Sequence, residues 1–176
     1  YESCGPEGEK LIEYVEKEHK GQPHVGELPL DIVDQCVAHG KKAVDAMMAI
    51  TAKPSRNADE LKRVLQDMIC YATFALAFQQ KVLAAQQVLN YKWTGDIQYL
   101  DAAVPFLEKS QQTWLQLSKM TDEAYLYANS MQTAQRRIPV GGDGGKMKTW
   151  SELATVYQEE LDALKANIEK LKRPVA

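Results

Sequence analysis

Between Ala58 and Lys92 the chain contains neither glycine nor proline. A run of that length, about 35 residues, cannot be a strand, and as a helix it spans about 52 Å at 1.5 Å per residue. Its apolar residues fall at helical spacing: Leu61, Leu65, Met68, Ala72, Ala75, Val82 and Leu89 form one seam. Tyr71, Phe74 and Phe78 widen that seam in the middle, so Ile69 to Phe78 reads as the buried centre of a core helix. Asn57 stands where an N-cap is wanted. Any fold for this chain must be built around this helix.

The remaining segments follow the same period. A short helix should open at Pro6-Glu7-Gly8-Glu9 and run to about Lys20, with Leu11, Ile12 and Val15 on its apolar side. Gly21, Pro23, Gly26 and Pro29 make residues 21–29 a connection. A second helix is expected over 30–51, with Leu30, Val33, Val37, Val44, Met47 and Met48 on one stripe. Gly40 lies on that stripe, which suits close approach of a neighbouring helix. After the turn Thr94-Gly95-Asp96, the series Ala103, Phe106, Ser110, Thr113, Leu117, Met120, Ala124, Tyr127, Met131, Ala134, Ile138 keeps 3-4 spacing. This predicts one long helix over 97–137, bent or begun near Pro105. A split at Thr121-Asp122 is the alternative, because Thr-Asp-Glu also reads as a helix start. Residues 138–149 are a glycine-rich loop, and Thr149 with Glu152 has capping-box spacing. A last helix runs from Trp150 to the stop at Pro174.

The expected fold is therefore all-α: an up-down four-helix bundle with two long central helices and a short N-terminal helix. Residues 1–29 hold the N-terminal helix and its connection, residues 30–176 the bundle, in one domain overall. The two long helices should outreach the two short ones by roughly 20 Å.

Composition agrees with a globular helical chain. Of 176 residues, 45% are apolar and 26% charged. A net charge of -3 gives no strong field toward nucleic acid or anionic membrane. No apolar run approaches the roughly 18 residues of a membrane span. Three cysteines cannot all pair with one another; Cys36 and Cys70 fall inside helical patterns, where a small buried thiol is the plain reading. The first residue is Tyr1, as expected of a processed product or a segment of something longer.

Strong catalytic motifs are missing. The stretch Gly141 to Lys146 suggests a phosphate loop, but Val140 stands where glycine is needed and Met147 where Ser or Thr is needed. His19, His24 and His39 share no helix face, and only His19 has a Glu three positions before it (Glu16) where a di-iron bundle needs two such pairs, so no metal, cofactor or di-iron site is expected. Locally bonded or solvated histidines are the expectation. No nucleophile elbow occurs, and the carboxylates sit mainly on outward helix faces, so no catalytic residue is assigned.

One stretch is unusual for a bundle helix. Tyr125 to Arg137 combines Tyr125 and Tyr127 with Asn129, Ser130, Gln132, Thr133 and Gln135, and runs into the glycine loop. A polar cleft in which Tyr125 stacks on a ligand, while Asn129, Gln132, Arg136, Arg137 and Lys146 donate hydrogen bonds, is one reading. An interhelical polar network tying the loop to the bundle is the other. Tyr91, Trp93 and Tyr99 gather at the 94–96 turn, either as a stacking surface or as a plug for the end of the bundle.

The segment Tyr125-Leu126-Tyr127-Ala128-Asn129-Ser130-Met131-Gln132-Thr133 through Arg136-Arg137-Ile138-Pro139-Val140-Gly141-Gly142, with Lys148-Thr149-Trp150 after it and Pro105-Phe106-Leu107-Glu108-Lys109-Ser110 before it, resembles part of large secreted polysaccharide-processing proteins of gut bacteria. The resemblance spans about residues 97–171. It implies an extracytoplasmic setting, periplasmic or at the cell surface, and an accessory role beside a catalytic domain. The function expected is a non-catalytic module that binds glycan or docks a catalytic partner. A pure interaction or assembly bundle, oligomers included, is the alternative, and an unrecognised glycan-active enzyme is a third reading.

Overall fold

A computed structural model of the chain describes residues 7–51, 56–122, 124–125 and 148–173. Among these residues there are five helices and no strand, and Gly8 and Glu27 form an isolated bridge. They are α1 (Leu11–Lys20), α2 (Pro29–Thr51), α3 (Ala58–Thr94), α4 (Ile97–Thr121) and α5 (Trp150–Lys172). The all-α bundle expected from the periodicity is what the chain forms.

Helix ends follow the local chemistry. Gly95 takes a left-handed φ of 72° and its N–H returns to the Tyr91 carbonyl at 2.8 Å, ending α3. Asp96 then caps α4, its carboxylate accepting from the Gln98 N–H at 2.9 Å. At α5 the capping box forms: the Glu152 N–H donates to Thr149 Oγ1 at 3.2 Å, and the Thr149 N–H to Glu152 Oε2 at 2.7 Å. Asn57 occupies the N-cap position of α3, but its side chain does not cap the helix.

Packing follows chain order. Ser110 donates to the Ala77 carbonyl (2.8 Å) and Gln66 to the Met120 carbonyl (3.4 Å), so α4 runs antiparallel to α3. Lys165–Glu108 and Lys172–Asp101, each 2.7 Å, set α5 antiparallel to α4. Gln79 reaches Asp34 (2.6 Å) and Gly40 faces Ala72, which lays α2 antiparallel on α3. The core has two parts. One gathers Cys70, Ala77, Trp114, Leu117 and Leu153; the other gathers Ala84, Ala103, Leu107 and Leu161. Both rest on α3, α4 and α5, whereas α2 buries only Val33 completely.

Several expectations are corrected. The α1 helix starts at Leu11, because residues 7–10 are extended and pair with the connection around Glu27. The single helix expected over 97–137 is interrupted at the alternative position, Thr121-Asp122: α4 stops at Thr121, and its neighbour Asp122 accepts the Ser151 hydroxyl at 2.6 Å. Thr113, Ser118 and Thr121 bond back to carbonyls of their own helix, at 2.7, 2.9 and 2.9 Å, an arrangement that slightly destabilises a helix. With α4 at 25 residues and α3 at 37, only one helix outreaches the rest among the described residues. Cys36, expected buried, is exposed on α2, while Cys70 is buried and both are free thiols. Finally, α3 contains an 18-residue window long and apolar enough to cross a membrane by length and composition. Only 22% of that window is buried, and this exposure is where the candidate site lies.

Candidate docking surface

Of the residues singled out for a polar cleft, Tyr125 alone is described; Asn129, Gln132, Arg136, Arg137 and Lys146 lie outside the described residues. Tyr125 donates its hydroxyl to the Asp67 carboxylate on α3. That bond, together with burial, holds its phenol proton well above the ordinary tyrosine range. The geometry ties Tyr125 to the bundle. The aromatic group at the 94–96 turn is likewise partly covered: the His19 ring stacks on Trp93 at 5.8 Å and Lys20 Nζ lies 5.6 Å from its centroid.

The structure instead presents aromatic rings on α3. Tyr71, Phe74 and Phe78 are 63, 41 and 52% exposed, not buried as the seam suggested. Their i, i+3, i+7 spacing places them on one face. The Phe74 ring stacks on Phe78 at 6.4 Å and meets Trp114 and Trp150 edge-on at 6.0 and 6.2 Å. Trp114, 1% exposed, lies beneath, stacked on Tyr157 at 4.4 Å. Such pairs add about 0.5–1.5 kcal/mol each beyond their buried area. The cluster is therefore rigid, with its outer rings in solvent.

Further along α3 lies a trough between α3 and α5. Because α3 and α5 both run antiparallel to α4, they run parallel to each other, and their backbones do not approach closely. Lys81 bridges them: its ammonium pairs with Glu160 at 2.7 Å and sits 4.4 Å over the Tyr157 ring. Burial, with the Glu160 charge beside it, pushes the Tyr157 phenol up to about 12. Beyond Lys81 the trough continues between Ala84, Val88, Leu107 and Leu164, where Leu11 and Ile12 of α1 reach over it. One polar atom in the cluster is unusual. The Trp150 indole N–H is buried without an acceptor, although the Trp150 carbonyl accepts from Trp114 Nε1 (3.1 Å) and Ser118 Oγ (3.2 Å). Among the described residues no group of three His, Cys, Asp or Glu could hold a metal ion.

Fold and surface together define an all-α module whose best-formed exposed feature is apolar and aromatic. No protein-family model matches the chain, and no curated protein matches it. Among solved structures it is similar to a GH138 enzyme targeting pectin rhamnogalacturonan II. The TM-score is 0.89, with 57% sequence identity over 98% of this chain. The chain spans only 25% of the length of that enzyme's chain. The likeness to polysaccharide-processing proteins, read over 97–171, thus extends over nearly the whole sequence.

Proposed function

We propose that this chain is a non-catalytic helical module of an extracytoplasmic carbohydrate-processing protein, and that it docks a catalytic domain through the α3–α5 aromatic trough. The observation that carries the reading is the match of nearly the whole chain to one quarter of a GH138 enzyme. A module of this kind has the rest of an enzyme to pack against. The exposed Tyr71, Phe74 and Phe78 supply the type of surface that packing uses, since aromatic residues are enriched in interface cores. Glycan binding around Tyr125 is the competing reading, and the Tyr125–Asp67 bond weighs against it by engaging the one hydroxyl in view.

A thermal-shift and hydrolysis screen separates the two. The chain is incubated with acidic pectin oligosaccharides and assayed for released sugar and for a change in melting midpoint. A docking module gives neither. A specific glycan ligand at 100 times its dissociation constant would stabilise by about 2.7 kcal/mol, moving the midpoint by roughly 5–11 °C. Such a shift would replace docking with glycan binding, and released sugar would make the chain an enzyme.

A further inference from the structure

The start of the chain contains a charge cluster unrelated to the trough's aromatics. Residues 7–10 lie against the 25–27 turn: the Glu27 N–H donates to the Glu7 carbonyl and the Glu9 N–H to the Glu27 carbonyl, both at 3.0 Å. Gly26 permits this contact. Its φ is +73°, and a Cβ there would lie 2.1 Å from the Glu7 carbonyl oxygen. Into this junction projects Glu9, its side chain only 5% exposed. One carboxylate oxygen accepts from Lys17 Nζ at 2.6 Å and from the Val25 N–H at 2.7 Å. The other meets His24 Nδ1 at 2.7 Å. The second ring nitrogen of His24, Nε2, lies 2.6 Å from Glu18 Oε1 on α1. Tyr14 stacks flat against the imidazole, 4.5 Å between centroids and 16° between planes.

A neutral imidazole has one N–H and one lone pair. It cannot donate to carboxylates on both sides, and a lone pair facing a carboxylate is repelled. Only the imidazolium fits this geometry. We propose that His24 is a proton-operated clasp: as an imidazolium it ties the 22–27 connection both to the extended segment, through Glu9, and to α1, through Glu18.

Loss of its proton opens one arm. Lys17 and the Val25 N–H continue to hold Glu9, so the neutral ring keeps Nδ1–H on Glu9. It releases Glu18, whose side chain is 56% exposed and readily rehydrated. The groups around His24 are Glu9 from the extended segment, and Tyr14, Lys17 and Glu18 from α1. Asp31, at the start of α2, acts on Tyr14 through its charge. Glu18 and Glu9 raise the titration of His24 above 6.5, and Lys17 and His24 hold the Glu9 carboxyl down at about 2. The His24 contribution to stability is thus complete below pH 6.5 and lost as pH rises through its raised value. The Glu9 contribution is present above 4.5 and lost as pH falls toward 2. Between these limits both arms are closed. The clasp fixes the start of α1, and with it Leu11 and Ile12 over the end of the trough. It is a property of this chain alone and does not depend on the docking reading.

The test is an NMR titration of the His24 ring in the intact chain, beside melting curves of wild type and His24→Gln from about pH 5 to 9. His24 should titrate above 6.5, and Glu18→Gln should shift it down. The gap in melting midpoint between wild type and His24→Gln should shrink at high pH. Titration at or below 6.5, or a gap that does not change with pH, overturns the clasp. If His24→Gln does not fold, the wild-type and Glu18→Gln titrations decide the matter unaided.

Discussion

Replacing Gly40 with alanine sets two effects against each other. Within a helix, alanine is favoured over glycine by about 0.8–1.0 kcal/mol. At this position the added Cβ would stand 2.9 Å from Ala72 Cα and 3.1 Å from Ala72 Cβ on α3. The first of these atoms is backbone and cannot rotate away. Helix α2 must therefore back off by several tenths of an ångström. A radial gap of 0.5–1 Å forfeits a quarter to a half of each dispersion contact along the α2–α3 seam. Overpacking of this kind costs about 1–3 kcal/mol. Strain should win, leaving Gly40→Ala less stable by about 1 kcal/mol. In a chain of this size that lowers the melting midpoint by roughly 2–4 °C. Urea unfolding followed by circular dichroism reads the difference directly. Adding Ala72→Gly removes the 3.1 Å contact and leaves the 2.9 Å contact, so the double variant should not recover. A Gly40→Ala chain more stable than wild type by about 1 kcal/mol would refute the close α2–α3 approach.

Three further outcomes follow from the same geometry. Ser110→Ala removes a hydroxyl that is 0% exposed and leaves the Ala77 carbonyl without that donor, so unfolding measurements should show a loss of about 1–3 kcal/mol. Leu161→Ala empties a site that is 4% exposed in the second core cluster and should cost about 2–5 kcal/mol in the same assay. Tyr14, Tyr125 and Tyr157 all hold their protons above the ordinary value of 10.0, Tyr157 up to about 12. Tyrosinate absorbance should therefore show late-ionising groups, and stability should fall as pH rises above 10, where the unfolded chain ionises first.

Much of the fold was legible because helices are local. The glycine- and proline-free run gave α3, Thr149 with Glu152 gave the start of α5, and Gly40 marked a close approach that Ala72 completes. The failures are tertiary. Tyr71, Phe74 and Phe78 look like core by hydrophobicity, yet they sit to one side of the Leu61–Ala72–Leu89 seam. The angular offset was the available signal, and nothing local tells whether a neighbouring helix covers that side. The end of α4 was legible only as the alternative split at Thr121-Asp122, because apolar spacing continues past Thr121 and favoured one long helix. His24 was read only as locally bonded or solvated. Its bridge depends on Glu9 and Glu18 meeting around a turn that Gly26 alone permits.

The central claim is that the aromatic trough docks a catalytic domain. Titration calorimetry tests it most directly, using this chain against the remaining three-quarters of the GH138 enzyme to which it is similar, produced without its matching segment. Saturable one-to-one binding is predicted for the wild type. It should be lost when Tyr71→Ser and Phe78→Ser are combined, since both side chains are more than half exposed and their removal should leave the fold intact. Absence of binding by a folded wild type, or equal binding by the double variant, would contradict the account.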